Sequence, residues 1–144
     1  MEEQSYAKHA RMVPMFHMVL FGLIVLAFLG SLVNLYRRMG DHTGRFAAVL
    51  ITLITVAMII QFFFSRVFPL KAQDRAIRAE ENLRHFALTG KLLDPRLKVG
   101  QIIALRFACD AEFADLARRA ADESLSMDAI KKSVKTWRAD YHRV

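Results

Sequence analysis

Two stretches decide the fold: residues 13–36, VPMFHMVLFGLIVLAFLGSLVNLY, and residues 46–68, FAAVLITLITVAMIIQFFFSRVF. The first holds no formal charge beyond whatever His17 carries. The second holds only Arg66, near enough to its end to reach water along its own methylene stem. At a rise of about 1.5 Å per residue, the 24 residues of the first run reach roughly 36 Å as a helix, enough to cross about 30 Å of hydrocarbon with some tilt. Two such runs in a chain of 144 residues leave too little protein to bury them as core helices of a soluble domain. A signal peptide carries a shorter apolar run that ends at small residues. Here the run ends NLYRR and a second follows at once, so it is expected to remain in the chain.

The segment between them, residues 37–45 (RRMGDHTGR), offers Gly40, Asp41 and Gly44 as turn residues and is too short for a domain. It predicts a transmembrane hairpin with both termini on one side. Near the membrane that side carries Lys8, Arg11, Arg66, Lys71, Arg75, Arg78 and Arg84, against Arg37, Arg38 and Arg45 in the loop. By the positive-inside rule the termini are expected in the cytoplasm, with 1–12 as a short cytoplasmic segment, 13–36 and 46–68 as spans, and 37–45 as an external loop. Inside the spans, Ala27 and Ser31, and Ala48 and Thr52, are small residues one turn apart, which suits close helix packing and is compatible with homo-oligomerisation. His17 lies at a depth similar to Gln61 and Ser65, so a hydrogen bond between His17 and one of that pair is expected, because an unpaired polar group in lipid is costly.

Charge is segregated into the remainder. Residues 71–144 hold 15 of the 21 Lys and Arg and 11 of the 14 Asp and Glu, a local net charge of +4 within the chain's +7. Residues 70–144 are therefore expected to form a basic cytoplasmic helical domain beside anionic headgroups. Ala72, Ala76, Ala79, Leu83 and Phe86 step by 4, 3, 4, 3, a heptad-like seam predicted to pack on the rest of this domain. Pro69 is expected to kink or restart the helix, and Gly90 to cap its end. Residues 100–108 (GQIIALRFA) read as a buried helix. Asp110 is a suitable N-cap for the next helix, whose Phe113, Leu116, Ala117 and Ala120 share a face. Ser126 caps a last helix in which Met127, Ile130, Val134 and Trp137 form one stripe, and Leu125 staples against Ile130. No segment alternates as a strand should, so the fold class is all-α.

Catalytic patterns are missing. There is no Gly-rich phosphate loop, G-x-S-x-G elbow or H-E-x-x-H. Glu80 and Glu81 point about 100° apart on a helix and so make no acid–base dyad. Cys109 is alone, which excludes an intramolecular disulfide and a Cys-rich zinc site, and its setting suits an inert core thiol. No catalytic residue, metal or cofactor is assigned. The terminal stretch 130–143 (IKKSVKTWRADYHR) interleaves Lys131, Lys132, Lys135, Arg138 and Arg143 with Trp137 and Tyr141, which suits lipid headgroups or an acidic protein partner. The modest net charge argues against nucleic acid.

Several stretches resemble a bacterial family of small two-span membrane proteins of unknown function. They are residues 8–11 (KHAR) with Val13-Pro14 and Phe16-His17, residues 73–78 (QDRAIR), 101–110 (QIIALRFACD), and Ile130-Lys131-Lys132 through residues 137–141 (WRADY). The resemblance implies a bacterial inner (cytoplasmic) membrane location. The resembling stretches lie mostly outside the spans, so a binding surface is expected at Gln73, Asp74, Arg75, Arg106, Lys131, Lys132, Lys135, Trp137, Arg138 and Tyr141. The expected function is that of a non-enzymatic protein that anchors or modulates a partner through its cytoplasmic domain. The competing expectations are a membrane-anchored nucleic-acid binder and a small proton or redox carrier using His17.

Overall fold

A computed structural model describes residues 12–140, and among these every regular element is a helix. A short π-helical stretch, Met15–Leu20, leads into α1 (Phe21–Arg37), followed by α2 (His42–Thr89), α3 (Val99–Leu105), α4 (Asp110–Asp122) and α5 (Met127–Ser133). Met15–Arg37 and α2 are both long and apolar enough to cross a membrane. The chain divides into two compact units at Pro69, inside α2. Pro69 neither ends nor restarts the helix. A proline deprives one residue of its i−4 bond, and the turns on either side carry α2 through.

In the unit that ends at Phe68, α1 and the first part of α2 touch through small and hydroxylated residues. Ile24, Ser31, Ala48 and Thr55 are buried there. Ser31 Oγ lies 3.2 Å from Thr55 Oγ1 while donating to the Phe28 carbonyl at 2.7 Å, and Thr52 Oγ1 donates to the Ala48 carbonyl at 3.0 Å. Ser31, Ala48 and Thr52 therefore sit at this contact as their spacing suggested. Ala27 does not, being exposed. Asp41 closes the turn between the helices, accepting from Thr43 N at 3.1 Å and pairing with Arg38 at 2.9 Å. The Gly44 amide first, then the Arg38 guanidinium and the Thr43 amide, hold the Asp41 carboxyl below its ordinary value.

The other unit, from Pro69 on, is built around a core of its own. Leu93, Leu97, Ile102, Leu105, Phe113, Leu116 and Ile130 are buried together, with α3 packed on both α4 and α5. Gln101 explains how a polar side chain enters that core. Its Oε1 accepts from Lys98 N at 2.7 Å, and its Nε2 donates to the carbonyls of Ala120 at 3.2 Å and Leu125 at 2.8 Å. Three bonds answer the desolvation of one amide and tie the start of α3 to the end of α4. Gly90, at φ 73°, ends α2 as the sequence suggested, its N–H bonded to the Phe86 carbonyl at 2.8 Å. Ser126 caps α5 by accepting from Ala129 N at 3.1 Å, and Leu125 packs on the core beside Ile130.

Three local expectations are corrected here. The N-cap of α4 is Cys109 rather than Asp110, whose carboxylate is drawn off to Arg84. α5 stops at Ser133, so Trp137 reaches the core from an extended segment instead of completing a helical stripe, and Met127 is exposed. The seam Ala72, Ala76, Ala79, Leu83 and Phe86 does not pack on the domain: all five are exposed. α2 buries Ile77 and Glu81 instead, because Arg84 supplies Glu81 with a partner at 3.0 Å that makes its burial tolerable.

Candidate functional site

The extended tail 134–140 is held by backbone groups that its sequence does not advertise. Glu112, in the first turn of α4, accepts from Lys135 N at 3.1 Å and Thr136 N at 3.0 Å. Burial pushes the Glu112 carboxyl up, but these amides and that of Cys109 outweigh it and leave the group below its ordinary value. Trp137 then bridges to Ala108 and stacks on Phe107 with ring centroids 4.5 Å apart, and Arg138 N donates to the Phe107 carbonyl at 2.7 Å. Trp137 is thus half-buried packing and is not presented to solvent as a headgroup or ligand platform.

Once pinned, the tail forms one wall of a cleft of about 520 Å³. Gln73, Ala76, Ile77, Glu80 and Glu81 of α2 line the opposite side, and Arg106, Arg138, Ala139 and Asp140 complete it. Of the ten residues expected to form a binding surface, Gln73, Arg106 and Arg138 meet here. The Arg106 side chain retains only 10% of its exposure, with its guanidinium 4.7 Å from the Phe107 centroid and 3.3 Å from the Asp140 carboxylate. It acts as a clasp on the tail as much as a lining group. Asp74 and Arg75 lie nearby on α2 outside the lining.

The lysines disperse. Lys131 stands 5.9 Å from the Phe107 centroid, Lys132 pairs with Asp128 at 2.7 Å, and Lys135 serves through its backbone. Tyr141 lies outside the described residues, as do Lys8, Arg11 and Arg143. The residues that sequence reasoning missed are acidic: Glu80, Glu81, Glu112 and Asp140. Glu112 is legible in the sequence as a first-turn carboxylate of its helix, but its target, the backbone of residues 135–136, carries no sequence signal.

Beneath the cleft lies a buried polar clamp. Arg84, 11% exposed, donates to Glu81 at 3.0 Å, to Asp110 at 2.7 Å and to the Ala108 carbonyl at 2.7 Å, with its guanidinium 4.2 Å from the Phe113 centroid. His85 and Asn82 continue it. His85 Nδ1 lies 2.7 Å from the Lys91 carbonyl oxygen, and Asn82 Oδ1 accepts from Leu93 N at 3.2 Å, so α2 grips the loop that returns to α3. Farther along that loop Arg96 holds the Asp94 carboxyl at about 2.

The intramembrane polar contact expected from depth alone is replaced by local pairing. His17 Nδ1 lies 3.0 Å from the Val13 carbonyl oxygen and 3.1 Å from Val13 N, one turn back. Ser65 Oγ donates to the Phe62 carbonyl at 2.7 Å, and Gln61 is exposed. Phe16 stacks on Phe62 at 4.5 Å, and His17 and Ser65 find backbone partners one turn back without crossing to the neighbouring helix. No group of three or more His, Cys, Asp or Glu is placed to hold a metal among the described residues.

Fold and site together define an all-helical protein with two long apolar helices and a separate charged unit bearing an open cleft. The chain belongs to a family of unknown function, DUF6526, whose model matches residues 1–144. No curated protein and no solved structure matches it.

Proposed function

We propose that this chain is a two-span protein of the bacterial inner membrane, with both termini cytoplasmic, which holds a protein partner through its helical unit and performs no chemistry of its own. One observation carries the membrane half of this reading. Where α1 and α2 touch, Ser31 and Thr55 are 4% and 6% exposed, whereas Leu26, Leu53 and Ile54 on the same helices are 68%, 58% and 60% exposed. A helix pair that turns hydroxyls inward and leucines outward suits lipid, where close packing and hydrogen bonds rather than apolar burial join helices. In water so large an apolar surface would aggregate.

Support for the partner half comes from the cleft. It is open, flanked by both signs of charge, and built from the tail together with α2 and Arg106. That suits recognition of a polar segment better than catalysis. Topology is tested by placing single cysteines in a Cys109→Ser background. Thr43→Cys is expected to react with a membrane-impermeant thiol reagent in spheroplasts, and Lys91→Cys only after permeabilisation. The reverse pattern would overturn the orientation, and equal labelling of both would overturn the spans. The partner is tested by crosslinking in native membranes followed by mild-detergent purification. A stoichiometric companion that is lost in Arg138→Ala supports the reading, and recovery of the chain with lipid alone removes it.

A further inference from the structure

The heptad seam is exposed on α2, and the pattern of charge beside it says what covers it. Leu83 is 68% exposed and Phe86 51%, and Ala72, Ala76 and Ala79 continue the same line. The buried face, centred on Ile77 and Glu81, lies about 150° around the helix, at 100° per residue. The rest of the unit therefore packs on the other face of α2, and of the seam only its shoulder, Ala76 with the neighbouring Glu80, also borders the cleft. Placing Ala76 and Leu83 at a and Ala79 and Phe86 at d puts Arg75 at g and Glu80 at the following e. In a parallel two-stranded coiled coil, g of one helix faces the next e of its partner. Arg75 of each chain then meets Glu80 of the other, twice by symmetry. Within one chain the two are five residues apart, too far around the helix to pair, and among the described residues neither makes an ion pair.

We infer that this seam is a self-association surface, and that a second copy of the chain docks on it in parallel, with reciprocal Arg75–Glu80 pairs across Leu83 and Phe86. The parallel sense rests on the membrane reading above, since α2 runs on from a span and two copies inserted the same way then enter the seam in the same direction. Two heptads are marginal in dilute solution. Confinement of both copies to one bilayer raises their effective concentration and offsets that weakness.

The test is disulfide crosslinking of single cysteines in native membranes, with the full chain in a Cys109→Ser background. Leu83→Cys and Phe86→Cys are expected to give disulfide dimers, while Arg78→Cys, outside the seam, gives few. Adding Glu80→Arg or Arg75→Glu to Leu83→Cys is expected to lower the dimer yield about fivefold, and adding both to restore it. Yield at Arg78→Cys equal to that at Leu83→Cys, or indifference to the charge changes, overturns the inference. So does crosslinking confined to Ala79→Cys, the mark of an antiparallel pair. Because seam crosslinking and Thr43→Cys labelling are read separately, dimers without external labelling at residue 43 would reject the membrane reading and retain the pair.

Discussion

Leu26 and Phe113 are both large apolar side chains on helices, yet the first is 68% exposed and the second is wholly buried. Ser31 and Arg118 invert the comparison: the small hydroxyl is 4% exposed, and the charged side chain retains 73% of its exposure. The same twenty side chains thus obey opposite burial rules on the two sides of Pro69. In the unit from Pro69 on, the core is apolar and polar side chains such as Gln101, Glu81 and Arg84 enter it with specific partners. In the other unit the contact between helices is made by small residues and hydroxyls, and the apolar bulk faces away. The lesson is that hydrophobicity alone does not say which side chains meet.

The comparison breaks most sharply under matched truncations. Phe113→Ala is expected to destabilise its unit by about 3–5 kcal/mol, whereas Leu26→Ala, which loses no protein neighbours of comparable number, should change stability by no more than about 0.5 kcal/mol. Denaturant unfolding of the detergent-solubilised chain reads both, with Trp137, the single tryptophan, reporting on the charged unit. Equal losses would sink the distinction between the two units.

Arg84→Met comes next. It leaves the Glu81 side chain, 8% exposed, without its cation and should cost about 3 kcal/mol. Adding Glu81→Leu should recover most of that loss. If the double variant is as unstable as the single one, the clamp's energy lies in Asp110 and the Ala108 carbonyl instead of the buried pair.

A smaller effect is expected at the tail. Glu112→Gln should cost about 1 kcal/mol and loosen residues 135–137, which a red shift of Trp137 emission would show. The Glu112 carboxyl is lowered in the folded chain, so its contribution is fully present above the ordinary value of 4.5 and is lost as the pH falls through the lowered native value. The emission shift should therefore follow acidification in the parent chain and be flattened in Glu112→Gln. A similarly small effect, about 0.6 kcal/mol, is expected for Ser31→Ala, read by titrating the helix pair apart with a denaturing detergent.

Much of the architecture was legible before any coordinates. The two apolar runs, the cap at Gly90, the Ser126 cap and the Phe113–Ala120 face all follow from local spacing, because helix ends and amphipathic faces are set by residues within a turn or two of one another. The candidate site was legible only in fragments. Gln73, Arg106 and Arg138 converge, but Trp137 turned from ligand platform into packing once α5 stopped short. The cause is Glu112, 23 residues before Lys135, which trades two helical amides for two backbone bonds.

Sequence by itself determined the presence and order of the helices and the segregation of charge, since each depends on composition and near-neighbour periodicity, whereas the run of α2 through Pro69 and the early end of α5 were not legible in it. Only the tertiary structure decided which face of α2 is buried. Periodicity nominated the alanine–leucine–phenylalanine line, and the structure chose Ile77 and Glu81 instead. A carboxylate can be buried when a guanidinium and an aromatic ring converge on it, and Asp110 and Phe113, which complete that arrangement around Arg84, arrive from another helix 26 and 29 residues further along the chain.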